Sequence, residues 1–223
     1  MSGKHLWSLV DTLDPDLWVQ THRETYNRMA ADYTRRIDDY AASDEAERFV
    51  RMMATSPVHE PSILDAGCGP GRDACLLKLA GARITGLELS EAMLHEAQLL
   101  DNEQLCQGDV RQIPLRSDAF DGVWCFAALG HLPPVSVPSV LGEFRRVVGN
   151  GWLYIVVREG TGVRRIAWEE TLPRYFTDFT LTRLTQQLYS ANFMIKESGV
   201  WSGPDSRNWL HVCLLYTSPS PRD

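Results

Sequence analysis

The sequence predicts an α/β fold, a parallel sheet with helices on both faces. Three observations carry the prediction. Short β-rich runs alternate with helical patterns from Ser62 onward. The first run passes into three glycines within five positions, in ILDAGCGPGRDA at 63–74. The last two runs, FMIKESG (193–199) and NWLHV (208–212), have no helix between them, which points to an antiparallel hairpin at the sheet edge.

The elements follow in order. SILDA (62–66) reads as a buried strand, and a helix follows from about Arg72 to Ala80 with Cys75, Leu76 and Leu79 on one face. RITGLEL (83–89) is the second strand, and Ser90 caps a helix with Met93, Leu94, Ala97 and Leu100 at helical spacing. EQLCQGD (103–109) holds a short third strand and FDGVWCF (120–126) the fourth. Residues 138–148 form a helix, WLYIVV (152–157) a fifth strand, and LTRLTQQLYSA (181–191) another helix. Residues 1–61 are helical and charge-rich, with LWSLV, DLWVQ and YNRMAADYTRRIDDYA. Tyr26, Ala30 and Tyr33 share one helix face there, so this segment is expected to cap the open end of the sheet.

Composition narrows the function. The 223 residues suit one domain, 62–212, with the helical segment 1–61 as its appendage. Lys and Arg number 22 against 29 Asp and Glu, a net charge of −7 that argues against a nucleic-acid partner. The five cysteines form no C-x-x-C pair and read as reduced thiols in a cytoplasmic protein. Neither a signal peptide nor a membrane span is expected, and the six scattered histidines lack metal-ligand spacing.

A strand, a glycine turn and a helix start make a crevice at the carboxyl end of a parallel strand, where open α/β sheets bind ligands. Gly67, Gly69 and Gly71 permit unusual dihedrals and let a ligand touch backbone, and the helix N-terminus offers free N–H groups. The spacing is G-x-G-x-G rather than the G-x-G-x-x-G of dinucleotide sites, with Arg72 where the last dinucleotide glycine would sit. Glu88 ends the second strand, where a carboxylate accepts from both ribose hydroxyls of any adenosine-containing ligand. In QGDV (107–110), Asp109 can accept from an adenine amino group and Val110 can offer backbone N–H. A dinucleotide-dependent oxidoreductase and a protein that binds its ligand without turnover remain as competing readings.

The chain resembles a class I S-adenosylmethionine-dependent methyltransferase of the small-molecule type. ILDAGCGPG resembles the family's first motif, GLELSEAML its ribose strand, QGDVRQIPLRSDAFDGVWCFAALGHL its adenine loop and fourth strand, and EFRRVVGNGWLYIVV its fifth-strand entry. The resemblance implies a Rossmann-like, doubly wound seven-stranded sheet in the order 3-2-1-4-5-7-6 with strand 7 antiparallel. It implies S-adenosyl-L-methionine as cofactor and a small-molecule methyl acceptor. Gly67, Cys68, Gly69 and Gly71 would then cradle the methionine part and Asp65 would reach its amino group. Glu88 and Leu89 would meet the ribose, Asp109 and Val110 the adenine, and Ala127 the methionine side. Tyr33, with Tyr26, resembles a helix that closes over the cofactor. One departure is Gly149-Asn150-Gly151 in place of the family's Pro-Gly-Gly, a turn that Asn and Gly also support.

His131, in the loop ALGHLPP, is the candidate general base. Residues 158–176 read as a polar lid over the acceptor, with Arg158, Glu159, Arg164, Arg165 and Tyr175 as recognition groups. The final CLLYTSPSPRD (213–223) reads as an apolar scrap with a Pro/Ser tail. It resembles the translation of a transposon-end sequencing adapter, so residues beyond Val212 are expected to be non-native.

Overall fold

The structure, a computed structural model, describes residues 14–37, 43–53, 59–100, 104–203 and 207–216. Among these the main sheet has seven strands: β1 Ser62–Ala66, β2 Arg83–Glu88, β3 Leu105–Gln107, β4 Gly122–Phe126, β5 Trp152–Arg158, β8 Met194–Ser202 and β9 Asn208–Leu215. Their order is β3-β2-β1-β4-β5-β9-β8. Counted along this sheet alone, that is the expected 3-2-1-4-5-7-6. The first five strands pair in parallel, and β9 runs antiparallel to both β5 and β8.

Strands buried on both faces need apolar side chains at successive positions, and β1, β4 and β5 have them. Leu64, Val123, Cys125, Leu153, Ile155 and Val157 face one core, shared with Val140, Leu141 and Phe144 of helix α5 (Val137–Val148) and Leu184 and Leu188 of α6 (Leu181–Ser190). Ile63, Trp124, Tyr154 and Val156 face the other. There they meet Phe49 of α2 (Ser43–Met53) and Ala74 and Leu77 of α3 (Arg72–Leu79). Complete burial of a side chain such as Phe144 contributes about 1.5–3 kcal/mol. Helix α4 (Glu91–Gln98) follows β2, and the Ser90 hydroxyl caps it by accepting from Met93 N–H at 3.2 Å.

Helix α1 (Pro15–Arg36) lies across the carboxyl ends of the strands. Pro15 opens it, and the Asp14 carboxylate accepts from the Asp16 and Leu17 N–H groups at 2.9 and 3.0 Å. Trp18, His22, Thr25 and Met29 recur at helical spacing and are buried.

One expectation needs correction. Helix α2 does not cap the open end: Phe49 packs within 5.6 Å of Trp124 and 5.7 Å of Tyr154, against the sheet face. LWSLV lies outside the described residues. The stretch 158–176, read as a polar lid, contains an antiparallel hairpin of Val163–Ala167 (β6) and Pro173–Thr177 (β7). Strand β9 continues past Val212. Cys213, Leu214 and Leu215 pair with Tyr154, Leu153 and Trp152, and Cys213 and Leu214 are buried. Residues 217–223 lie outside the described residues.

Candidate active site

The carboxyl ends of β1, β2, β3 and β4 open into one cavity of about 460 Å³, roofed by α1. Its floor is the glycine loop. Gly67 and Gly69 hold φ of +80° and +53°, and a Cβ on Gly67 would stand 2.5 Å from the Ala128 Cβ. A Cβ on Gly69 would meet nothing within 4 Å, so the cavity reaches that backbone. The Gly67 and Cys68 N–H groups donate to Leu87 O at 2.8 and 3.1 Å, tying the loop to β2.

Glu88 organises the neighbouring wall. Its carboxylate accepts from the N–H groups of Gly69 (3.1 Å), Leu89 (2.8 Å) and Ser90 (2.9 Å). Burial raises its pKa, and these three bonds oppose the rise. Asp65 is buried, and its Oδ2 has no hydrogen-bond partner among the described residues. Desolvation and then the neighbouring Asp73 raise its pKa well above the usual carboxylate range. Asp73 is itself engaged, accepting from Arg72 at 2.6 Å and from Trp124 Nε1 at 3.0 Å.

Of the residues singled out in the sequence, Tyr33, Asp65, Gly67, Cys68, Gly69, Glu88, Leu89, Asp109, Val110, Ala127 and His131 all line this cavity. Gly71 does not. With φ of +85° it is the N-cap of α3 and shapes the loop from behind. Asp109 carries a partner that the sequence did not announce. Its oxygens accept from Arg111 N–H (2.8 Å) and Arg111 Nε (2.9 Å), and Arg111 also holds Asp16 of α1 at 2.8 Å. Ala127 holds φ of +59°, uncommon outside glycine, and sits at the cavity wall after β4. Cys68 is a buried thiol whose pKa burial pushes up, so it is inert.

His131 sits on a short 3-10 turn and lines the cavity. Its Nε2 lies 3.3 Å from the Tyr26 hydroxyl, and its buried Nδ1 has no partner among the described residues. Burial, and then the nearby His22, Arg174 and Arg164, lower its pKa well below 6.5. It is therefore neutral at neutral pH and a weaker base than an exposed imidazole.

The hairpin and α1 are tied together and to the His131 turn. Tyr175 N–H donates to His22 Nε2 at 2.8 Å, Thr25 Oγ1 donates to Pro173 O at 2.9 Å, and Trp18 Nε1 donates to His131 O at 2.7 Å. Because His22 Nε2 accepts, its proton is on Nδ1. Sequence reading missed His22 and Arg174. For His22 the signal was present, since it lies four residues before Tyr26 on the same face of α1.

Chemically, the cavity offers a buried carboxylate oxygen without a donor, a backbone cradle, a strand-end carboxylate and a loop carboxylate in sequence. These groups can accept from a cation or a hydroxyl and can face a ligand across exposed backbone. Among the described residues no cluster of metal-ligating side chains is found, and no helix is long and apolar enough to cross a membrane.

Comparison with known proteins agrees with this geometry. Residues 64–155 match the family described as a methyltransferase domain. Malonyl-[acyl-carrier protein] O-methyltransferase of Pectobacterium atrosepticum is 31% identical over 134 residues, covering 59% of this chain and 50% of that protein. Trans-aconitate 2-methyltransferase of Escherichia fergusonii is 29% identical over 158 residues, covering 64% of this chain and 60% of the relative. The chain thus spans about half the length of the curated relatives it matches. The crystal structure of a 1,6-didemethyltoxoflavin-N1-methyltransferase from Burkholderia thailandensis superposes with a TM-score of 0.74 and 22% identity, covering 92% of each chain. That structure contains S-adenosylhomocysteine, and the likeness establishes the fold.

Proposed function

We propose that this chain, whose residues 64–155 form a methyltransferase-family domain, transfers a methyl group from S-adenosylmethionine to a small-molecule acceptor. The observation that carries the reading is the single cavity joining the glycine loop, Glu88 and Asp109. When bound, the cofactor supplies an electrophilic methyl carbon on a positively charged sulfur. Asp65, with its unpartnered Oδ2, would hold the ammonium group, and Gly67 to Gly69 would lie along the methionine chain. Glu88 would accept from the ribose hydroxyls. Asp109 and Val110 would meet the adenine, Asp109 using acceptor sites that Arg111 leaves over.

The remaining residues enclose and orient. Tyr26, Tyr33 and His131 line the cavity, and α1, tied to the hairpin, would shield it from water. Alignment in a dry pocket is the main source of acceleration for such a displacement. His131 acts through its position and its bond to Tyr26 rather than as a strong base. The similar proteins include an O- and an N1-methyltransferase, so they do not choose the acceptor atom. The acidic balance favours a small molecule over a nucleic acid, and five unbridged cysteines favour a cytoplasmic setting.

The test is calorimetric titration with S-adenosylhomocysteine, with NADH as comparison. Micromolar binding of the first, weakened at least about tenfold in Glu88→Ala, supports the assignment. Binding of NADH alone sinks it, and binding without turnover of any acceptor points to a protein that holds the cofactor for another purpose.

A further inference from the structure

Arg174 sits where the fold gives a cation little support. It is half-buried on β7, and its guanidinium carbon lies 5.2 Å from the centre of the Trp168 ring and 5.4 Å from that of Phe176. Its Nε is buried without a hydrogen-bond partner among the described residues. No ion pair joins it to a carboxylate among them either. The neighbouring arginines differ. Arg72 holds Asp73 at 2.6 Å, Arg111 holds Asp109 at 2.8 Å, and Arg164 holds both oxygens of the buried Asp178. A guanidinium that is partly stripped of water without gaining an anion is costly, and aromatic faces recover only part of that cost.

The charge bears on the wall of the cavity formed by Tyr26 and His131. Phe176, two residues along β7 and therefore on the same face as Arg174, has its ring centre 4.7 Å from that of His131, tilted at 49°. The charge of Arg174 bears on the Tyr26 hydroxyl and depresses the basicity of His22 and His131. Arg174 does not itself line the cavity, whereas Tyr26 and His131 do.

We propose that the methyl acceptor is a small organic anion, a carboxylate above all, and that Arg174, acting through Tyr26, is the positioning residue that selects its charge. This rests on the methyl-transfer reading and deepens it. The chemistry of the site agrees. An acceptor that must first lose a proton finds only a weakened imidazole, whereas one that arrives ionised needs no base. Its own lone pair forms the bond to the methyl carbon, the electrons of the carbon–sulfur bond return to sulfur and cancel its charge, and no proton is released. The Tyr26 hydroxyl, polarised by the guanidinium, can donate to that anion, while a cationic amine is repelled.

The test uses the full chain in calorimetry. S-adenosylhomocysteine alone binds wild type and Arg174→Gln equally; its failure to bind wild type ends the cofactor reading and this inference with it. With that ligand at saturation, the probes are a panel of small carboxylates, each matched with its primary amide. At least one carboxylate binds wild type, and its amide binds about tenfold more weakly or worse. Arg174→Gln loses about tenfold to a hundredfold of the carboxylate affinity, and Arg174→Lys recovers part of it. With the cofactor site intact, three results each overturn the assignment: amides binding as tightly as acids, no carboxylate binding, or carboxylate affinity unchanged in Arg174→Gln.

Discussion

Acidification should loosen the clasp between α1 and the β6–β7 hairpin, and His22 allows the effect to be sized. Burial, aided by the Arg174 charge, lowers its pKa from 6.5 to about 3, while the Tyr175 N–H bond works in the other direction. The folded state therefore resists a proton that the unfolded chain accepts readily. A depressed histidine costs nothing well above 6.5 and destabilises progressively as pH falls toward 3. Integrated down to about pH 5, the difference in proton binding is about 2 kcal/mol. His131, lowered in the same direction and 5.2 Å away ring to ring, adds to the loss. Asp65 and Glu88 have raised pKa values and act with the opposite sign. They cancel when wild type is compared with His22→Gln, whose amide oxygen can still accept from Tyr175 N–H. Urea unfolding at about pH 7.5 and pH 5 should show the variant losing about 2 kcal/mol less than wild type. Equal losses in the two proteins would refute the reasoning.

Other substitutions separate folding from binding. Gly67→Ala forces a side chain onto a φ of +80° and within 2.5 Å of Ala128, so it should lower stability by more than the about 1–2 kcal/mol of left-handed strain alone. Gly69→Ala meets no atom within 4 Å, so thermal unfolding should show only about 1 kcal/mol of loss. Calorimetry should nevertheless find its S-adenosylhomocysteine binding abolished, because the methyl projects into the cradle. Trp124→Phe removes the donor to Asp73 and should cost about 1–3 kcal/mol in denaturant unfolding. Tyr26→Phe should keep cofactor binding within about twofold while acceptor affinity falls about tenfold, which paired titrations would check.

The parts legible in the chain were those governed by local rules. Unbroken apolar runs at 62–66 and 152–157 mark strands covered on both faces, because a parallel strand has no wet side. Gly67 and Gly69 mark a backbone that turns and lies open, because only glycine takes those dihedrals at no steric cost. The absence of a helix between 199 and 208 marks the antiparallel pair at the end. Other features depended on partners far away in the chain. DLWVQ reads as amphipathic, but nothing local says that Trp18 will reach across to His131 O. Residues 158–176 alternate polar and aromatic side chains too weakly to declare a hairpin, whose pairing is stabilised by α1 through Thr25 and His22. Arg174 looks like any other arginine until Trp168, Phe176 and Tyr26 surround it. Burial and electrostatic environment are sums over the whole fold, so the charge state of a histidine and the demands of an arginine emerge only when distant segments meet.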